Sequence, residues 1–299
     1  MSVLNQASDG LFNVLIVLVR VIIRFGPRSR EDLLRACGGD IASVSTSMLT
    51  NTLNRWAELG LFEICDGMVS LAVPHRAALG STADVAEERL PKVARTLALA
   101  SDNNLRFWEN ERAKSADLSR GIAWMLAQNI YELDTTTKGL QEHETLQFRG
   151  KTSTIVQNDT RWAGLRTWMG YLGFGREGSP WQVDPTEALR EALPDIFASD
   201  RTLPASEFVE RAAKVLPVLD GGAYRQEVET ALKDTAWVGP REGMLSTSLS
   251  RAVQRLDREK AIELKHESDT EDALSLSGSG GRIWRDITHF ALAPSKAVR

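Results

Sequence analysis

The sequence LSTSLSRAVQRLDREKAIEL fills Leu245–Leu264, and a similar sequence, VSTSMLTNTLNRWAELGLFEI, fills Val44–Ile64. When the two are shifted by 200 positions, Leu49 meets Leu249 and the other apolar residues follow in helical register. Each copy opens with Ser and Thr, which cap a helix by accepting hydrogen bonds from its free amides. Each copy then passes into a short segment typical of a strand. The repeat predicts the third helix and the first wing strand of a winged helix-turn-helix, present twice in the chain.

The residues around the first copy complete a predicted module of three helices and a hairpin. The nearly apolar run Leu11–Ile23 has 13 residues, fewer than the roughly 20 that a membrane-spanning helix needs, so we expect a buried helix there. Asp66-Gly67 is typical of a two-residue hairpin turn. The predicted elements are helices over Leu11–Ile23, Arg30–Cys37 and Ser45–Leu59, followed by strands over Leu61–Cys65 and Met68–Val73.

The third helix of this module would enter the major groove if the module binds DNA. Its exposed face is predicted to hold the polar residues Thr46, Ser47, Thr50, Asn51, Asn54 and Arg55. Because the set is polar but barely basic, contact with another protein stays open as the alternative.

The second copy carries more positive charge. Its helix is predicted to run from Leu245 or Ser246 to Glu259, which places three arginines on one helical face. Such a face would suit contact with phosphates or guanines. The predicted DNA-binding residues here are Ser248, Arg251, Arg255, Arg258 and Lys260. The alternative is a solvated charged face braced by Asp257 and Glu259.

The segment after this helix is predicted to form the second wing. Ile262–Lys265 is the predicted first strand and Ala273–Ser277 its predicted partner. The tip between these strands is acidic and contains Glu267, Asp269, Glu271 and Asp272. Because carboxylates repel phosphate, we expect this wing not to lie on a DNA backbone.

The middle of the chain is predicted to be helical. Predicted helices cover Glu87–Ala100, Asn104–Lys114, Asp117–Tyr131, Thr160–Leu172 and Asp184–Phe197, and Thr135–Gly150 is predicted to be a loop. Trp162 and Trp168 share one face of the fourth of these helices. An aromatic stripe at helical spacing indicates a core. The rival interpretation is a base-stacking platform, which needs exposed aromatic residues among cations.

Charge and motifs argue against several classes of function. The net charge is −4, so any DNA contact must come from a local basic patch. The four histidines lack the spacing of metal ligands, and no hydrolase, kinase or P-loop signature occurs. Gly173–Gly178 spells GxGxxG, but a helix precedes it where a dinucleotide site needs a strand. We therefore expect no enzymatic activity, no metal, no cofactor and no small-molecule substrate.

The two cysteines indicate a reducing compartment. Cys37 and Cys65 are far apart and have no CxxC partners, so we expect two free, buried thiols. The chain shows neither an export signal nor a membrane segment. The predicted location is the cytoplasm, in association with the nucleoid.

Four stretches carry a resemblance to a known family: SDGLFNVLIVLVR (Ser8–Arg20), RWAGLRTWMGYLGFG (Arg161–Gly175), LPVLDGGAYR (Leu216–Arg225) and LSTSLSRAVQRLD (Leu245–Asp257). In these the chain resembles the DpdG proteins, components of bacterial clusters that place 7-deazaguanine derivatives in DNA and restrict unmodified DNA. The resemblance implies an accessory protein of DNA modification or anti-phage defence. It implies no base-exchange activity, which belongs to another component, and it supplies no catalytic residues.

Together these patterns predict a mainly α protein of the α+β class with two winged helix-turn-helix modules. The predicted domains are an N-terminal winged helix over residues 1–80, a helical middle domain over 81–202 and a C-terminal winged helix over 203–299. The predicted function is a non-catalytic DNA-binding or adaptor subunit that works with double-stranded DNA and other protein subunits. The alternatives are a protein adaptor similar to the tandem winged helices on the kleisins of SMC complexes, and a winged-helix transcription regulator.

Overall fold

A computed structural model describes residues 3–4, 11–109, 113–150, 155–267 and 273–293. It is 53% helix and 14% strand, which confirms the mainly α, α+β class. The chain divides into two compact units. Unit 1 contains residues 1–119 and 153–172, and unit 2 contains residues 120–152 and 173–299. The three-domain division at residues 80 and 202 stays a prediction.

The elements of the first 172 residues are mainly helices, with short strands near the start of the chain. In chain order they are α1 (Phe12–Phe25), β1 (Arg28–Ser29), α2 (Arg30–Ala36), α3 (Thr46–Glu58), β2 (Phe62–Cys65), β3 (Met68–Leu71), α4 (Val73–Leu79), α5 (Ala83–Leu99), α6 (Ala116–Ala127), α7 (Thr137–Gln147) and α8 (Asp159–Tyr171). The boundary between the units falls inside α6, and α7 belongs to unit 2.

Unit 1 is built around the apolar face of α1. Leu15 and Leu18 on this face are fully buried, as the run predicted. No helix in the described residues is both long and apolar enough to cross a membrane. The predicted hairpin is confirmed, because β2 pairs antiparallel with β3 and β1 adds to the other side of β3. Asp66 and Gly67 both have positive φ values, 51° and 76°, as a two-residue turn that matches the twist of a hairpin requires.

The aromatic residues of α8 form part of the core of unit 1, which confirms the core interpretation. Trp168 is 2% exposed and Trp162 5%. The Trp168 ring lies 5.6 Å from that of Trp56 on α3 and 5.9 Å from that of Tyr171. A base-stacking platform is therefore excluded for these two tryptophans.

The elements after residue 172 all belong to unit 2. They are β4 (Gly175–Arg176), β5 (Gln182–Val183), α9 (Thr186–Phe197), β6 (Thr202–Pro204), α10 (Ala205–Val215), α11 (Ala223–Ala231), α12 (Thr247–Arg258), β7 (Ile262–Lys265), β8 (Leu274–Ser277), β9 (Ile283–Ile287) and β10 (His289–Leu292). The core of this unit contains Phe197, Phe208 and Phe290. The rings of Phe208 and Phe290 stack 3.9 Å apart.

The predicted partner of the wing strand β7 is wrong. β7 pairs with β10, with Leu264 opposite Phe290, and β6 lies on the other side of β10. β8 pairs instead with β9. The β8–β9 hairpin is thus inserted in the sequence between the paired strands β7 and β10.

Three predictions about helices are also corrected. α5 begins at Ala83, with Thr82 as its N-cap, so Pro91 lies inside the helix and not in its first turn. Residues 104–109 form turns where a helix was predicted, and 110–112 lie outside the described residues. Thr137–Gln147 forms α7 where a loop was predicted.

The cysteines are free, but the expectation that both are buried is wrong. Cys65 is exposed and Cys37 is half-buried. Cys65 is the last residue of β2, next to the hairpin turn, where strand residues reach solvent.

Candidate nucleic-acid interface

The helix α12 holds the candidate site because its two faces differ sharply. Leu249, Val253 and Leu256 are fully buried, and this apolar stripe fixes how the helix rotates about its axis. Arg251, Gln254, Arg255 and Arg258 lie off that stripe and are half-buried or exposed. Arg251, Arg255 and Arg258 therefore share the side of α12 that is not buried.

The start of α12 is fixed by hydrogen bonds to a single serine. The Ser246 hydroxyl accepts from the Leu249 amide at 3.2 Å, as an N-cap does. It also donates to the Asp220 carboxylate at 2.7 Å. Ser248, predicted to contact DNA, is fully buried and donates to the Leu126 carbonyl at 2.8 Å. In this structure Ser248 has no surface to offer a ligand.

Arg255 is the most tightly held arginine of the face. It forms an ion pair with the buried carboxylate of Asp184 and a longer one, at 3.5 Å, with Glu259. Glu259 also pairs with Arg190 on α9, and this hydrogen bond holds the pKa of the Glu259 carboxyl below its usual range. The predicted bracing of the face thus holds for Glu259. Asp257 instead accepts a hydrogen bond from the Leu264 amide at 3.2 Å.

Arg251 and Arg258 keep their charges uncompensated. Arg251 donates to the Gln182 amide oxygen at 3.0 Å and lies 5.9 Å from the centre of the Tyr131 ring. Arg258 is exposed. Within the described residues, neither has a carboxylate within 4.0 Å. Lys260 is also exposed, just beyond the end of the helix, with a positive φ of 61°.

A cleft of about 450 Å³, here called the arginine cleft, lies beside α12. Its walls are formed by Arg176, Arg251, Arg255 and Arg258 together with Tyr131 and Trp284. The two aromatic rings meet edge to face at 6.0 Å. Burial raises the pKa of Tyr131 above its usual value, against the opposing effect of the positive charges of Arg251 and Arg258. The cleft therefore combines guanidinium groups with aromatic surface.

The polar residues of α3 give a much weaker site. Arg55 was expected to be exposed, and this is wrong because it is 3% exposed. Asn54 accepts a hydrogen bond from Arg30 at 2.6 Å, and Thr46 donates to the Gly39 carbonyl at 3.1 Å. Ser47 is exposed, whereas Thr50 and Asn51 are half-buried. The face of α3 is thus polar without an exposed arginine of its own.

The acidic tip can be placed only in part. Glu267 is described and lies 3.8 Å from His289. Asp269, Glu271 and Asp272 lie outside the described residues.

Several residues of this site were not predicted from the sequence. Tyr131 lies in the turn that follows α6, Arg176 on β4, Gln182 on β5 with Asp184 just after it, and Trp284 on β9. Each lies more than 20 positions from α12 in the sequence. The GxGxxG segment itself follows α8 and forms part of the β4–β5 hairpin, so it lacks the strand-then-helix context of a nucleotide fingerprint. Among the described residues, no three His, Cys, Asp or Glu side chains group to hold a metal ion.

Comparison with known proteins gives a family and no closer relative. No curated protein and no solved structure matches the chain significantly. A family model described as DpdG-like matches residues 1–270, nearly the whole chain. This match confirms the resemblance seen in the sequence, and the chain belongs to the DpdG-like family.

Proposed function

We propose that this protein is a non-catalytic, DNA-binding accessory subunit of a DNA-modification and restriction system, and that it contacts DNA through α12. Membership of the DpdG-like family associates the chain with the bacterial cluster for 7-deazaguanine modification of DNA. The observation that carries the proposal is the match between two sets of elements, one in each unit.

The two sets share connectivity and strand register. In unit 1, Val69 on β3 lies between Arg28 on β1 and Ile64 on β2. In unit 2, Phe290 on β10 lies between Leu203 on β6 and Leu264 on β7. In each sheet the strand that comes last in the sequence lies in the centre, between the first and the second strand. This arrangement supports two winged helix-turn-helix modules, with α3 and α12 in the place of the recognition helix.

The turn after each of these helices is also the same. The Leu61 amide donates to Trp56 at 2.8 Å, and the Ala261 amide donates to Leu256 at 2.9 Å. Gly60 and Lys260 occupy the positive-φ position between helix and strand. The two segments that match in sequence at an offset of 200 positions therefore also share this backbone geometry. The shared geometry supports a common origin of the two modules.

The distribution of charge favours α12 as the DNA contact. Arg251 and Arg258 are free of carboxylates among the described residues, whereas the arginine of α3, Arg55, is buried. Nonspecific affinity for DNA comes from cations that reach phosphates. Binding at this helix would place the protein on the nucleoid.

The test is the salt dependence of binding to a short labelled duplex, measured by fluorescence anisotropy. Each phosphate that a cation neutralises contributes about 0.9 to the slope of log affinity against log salt. Changing both Arg251 and Arg258 to Ala should lower the slope by about two. Arg255→Ala should lower it less, because Asp184 and Glu259 already hold that guanidinium.

A matched control is Arg166→Ala, since Arg166 is an exposed arginine on α8 and lies in unit 1. The slope of log affinity against log salt for the Arg166→Ala variant should equal that of the unchanged protein. A flat salt series for the unchanged protein, or an unchanged slope in the double variant with an intact circular dichroism spectrum, would refute the proposal.

One observation favours a second candidate, a protein-binding adaptor. Unit 1 exposes apolar side chains at and near its sheet: Val73 is 75% exposed, Phe25 53%, Ile64 43% and Met68 42%. Exposed apolar surface of this kind is typical of protein contacts. If Phe25→Ser and Val73→Ser abolish co-purification with other subunits while the salt series is flat, the adaptor function replaces the DNA-binding one.

A further inference from the structure

We propose that the arginine cleft binds a single nucleotide unit, with its phosphate on the arginines and its base against Trp284. The inference deepens the proposed function and rests on it, because it names the part of DNA that α12 receives.

The charge of the cleft selects an anion. Four arginines line it, and the carboxylates that contact them are Asp184 and Glu259. Two positive charges are therefore left over, and Glu259 is further shared with Arg190. Guanidinium groups bind phosphate through paired N–H donors, and their geometry suits phosphate better than a point charge does.

The arginines are also held in position before any ligand arrives. Arg176 and Arg251 both donate to the same Gln182 oxygen, at 2.8 and 3.0 Å. Arg176 lies 3.7 Å from Asp184, which also pairs with Arg255. Three guanidinium groups are thus anchored by the β4–β5 hairpin and its exit. A preorganised set of cations loses less entropy on binding than a set of free side chains.

The aromatic surface selects a planar ring beside the anion. Trp284 is 37% exposed, and its indole forms the wall of the cleft next to Tyr131. A partly exposed indole in a cleft that arginines also line differs from the buried Trp168 and matches the combination expected for base stacking. The cleft volume of about 450 Å³ falls in the range of roughly 300–1,000 Å³ that is usual for small-ligand sites.

Two polar groups in the cleft lack partners among the described residues. The Tyr131 hydroxyl is buried without a hydrogen bond. The Gln254 side chain lines the cleft and can both donate and accept. A base edge offers donors and acceptors to the Gln254 amide, whereas a phosphodiester group offers acceptors only. A nucleotide therefore suits the arginines, the indole and this amide together.

The shared chemistry can come from an unpaired nucleotide in a DNA strand or from a free nucleoside monophosphate, and two experiments separate them. The first compares a fully paired duplex with the same duplex carrying one unpaired nucleotide, by anisotropy. The second titrates dGMP, deoxyguanosine and inorganic phosphate by calorimetry.

Stacking of one base is worth about five-fold or more in affinity. The unpaired DNA should therefore bind at least about five-fold tighter than the paired duplex. Trp284→Ala should bring that ratio close to one, and Trp284→Phe should keep most of it. Arg166→Ala should leave the ratio unchanged. In calorimetry, dGMP should bind more tightly than either of its two fragments.

The outcomes separate this inference from the proposed function. Binding of both DNAs with equal affinity overturns the nucleotide site and leaves the DNA-binding function intact. Failure to bind either DNA overturns the proposed function, and failure to bind dGMP in the same preparation then overturns this inference too. Binding of dGMP alone keeps the site and identifies its ligand as a free nucleotide. A phosphotyrosine peptide that binds more tightly than dGMP also overturns the inference that the cleft binds a nucleotide.

Discussion

Trp168 illustrates how much of unit 1 depends on one side chain. It is 2% exposed and its ring faces those of Trp56 and Tyr171. Its removal leaves a cavity that the surrounding helices cannot close fully. We expect Trp168→Ala to lower the free energy of unfolding by about 3–5 kcal/mol, as large-to-small changes in a core do.

Urea denaturation of the variant gives this number. Trp284→Ala is the matched comparison, since Trp284 is 37% exposed, and it should cost far less. An unchanged midpoint for Trp168→Ala would contradict the buried position of the ring.

The two cysteines should differ in reactivity because their environments differ. Burial raises the pKa of the Cys37 thiol to about 11, whereas the Cys65 side chain is exposed. The thiolate is the reactive form. In the native protein at pH 8, iodoacetamide should therefore modify Cys65 first. The rate at Cys37 should rise about tenfold per pH unit until the pH nears its pKa.

Mass spectrometry of tryptic peptides follows the two sites separately. The denatured protein is the control, in which both cysteines should react at similar rates. Equal rates in the native protein at pH 8 would show that Cys37 is not shielded.

Arg55 and Arg255 show what a sequence register can and cannot predict about single residues. The register places them at corresponding positions, one on α3 before β2 and the other on α12 before β7. One is nevertheless buried and the other half-buried against Asp184. The difference comes from elements distant in sequence, which fill the space beside each helix. A pattern within one helix does not contain that information.

At the scale of elements, the sequence predicted structure that a short segment determines by itself, such as a hairpin turn. It failed to predict which of several strands pair with one another. The hairpin at Asp66-Gly67 was predicted because its turn permits only one pairing. The partner of β7 was predicted wrongly as β8. β8 and β10 are equally short strands, and β8 is nearer to β7 in the sequence, whereas β7 pairs with β10. α7 was missed because its sequence, TKGLQEHETLQ, is polar, although Leu, Glu and Gln all favour a helix.

The N-caps of α3 and α12 allow a matched test of how much a capping serine contributes. Ser45 accepts from the Met48 amide at 3.3 Å and is exposed. Ser246 accepts from Leu249 at 3.2 Å, is 5% exposed and also donates to Asp220. Loss of a cap costs about 1 kcal/mol. Ser246→Ala should cost about 1 kcal/mol more than Ser45→Ala, since it also removes the hydrogen bond to the half-buried Asp220 carboxylate.

Thermal and urea unfolding of the two variants measure the difference. Equal costs for the two serines would show that the contact with Asp220 contributes nothing.

At the scale of the whole molecule, net negative charge opposes DNA binding, so a local excess of cations such as that at α12 must supply the contact. The chain carries a net charge of −4, and the acidic segment 267–272 follows β7 directly in sequence. Charges act on each other over about 30 Å at 0.01 M salt but only about 10 Å at 0.1 M. The effect of this segment on binding should therefore appear mainly at low salt.

Neutralising the segment tests whether DNA approaches this end of unit 2. The variant changes Glu267 and Glu271 to Gln and Asp269 and Asp272 to Asn. It should bind the paired duplex more tightly than the unchanged protein at low salt, and the two affinities should converge as salt rises, because screening removes the repulsion. As a control with the same change of net charge, four exposed carboxylates of unit 1 are neutralised, Glu31, Glu63 and Glu88 to Gln and Asp66 to Asn, which should leave affinity nearly unchanged. If the two variants tighten binding equally, only net charge matters. In that case DNA has no preferred approach to α12.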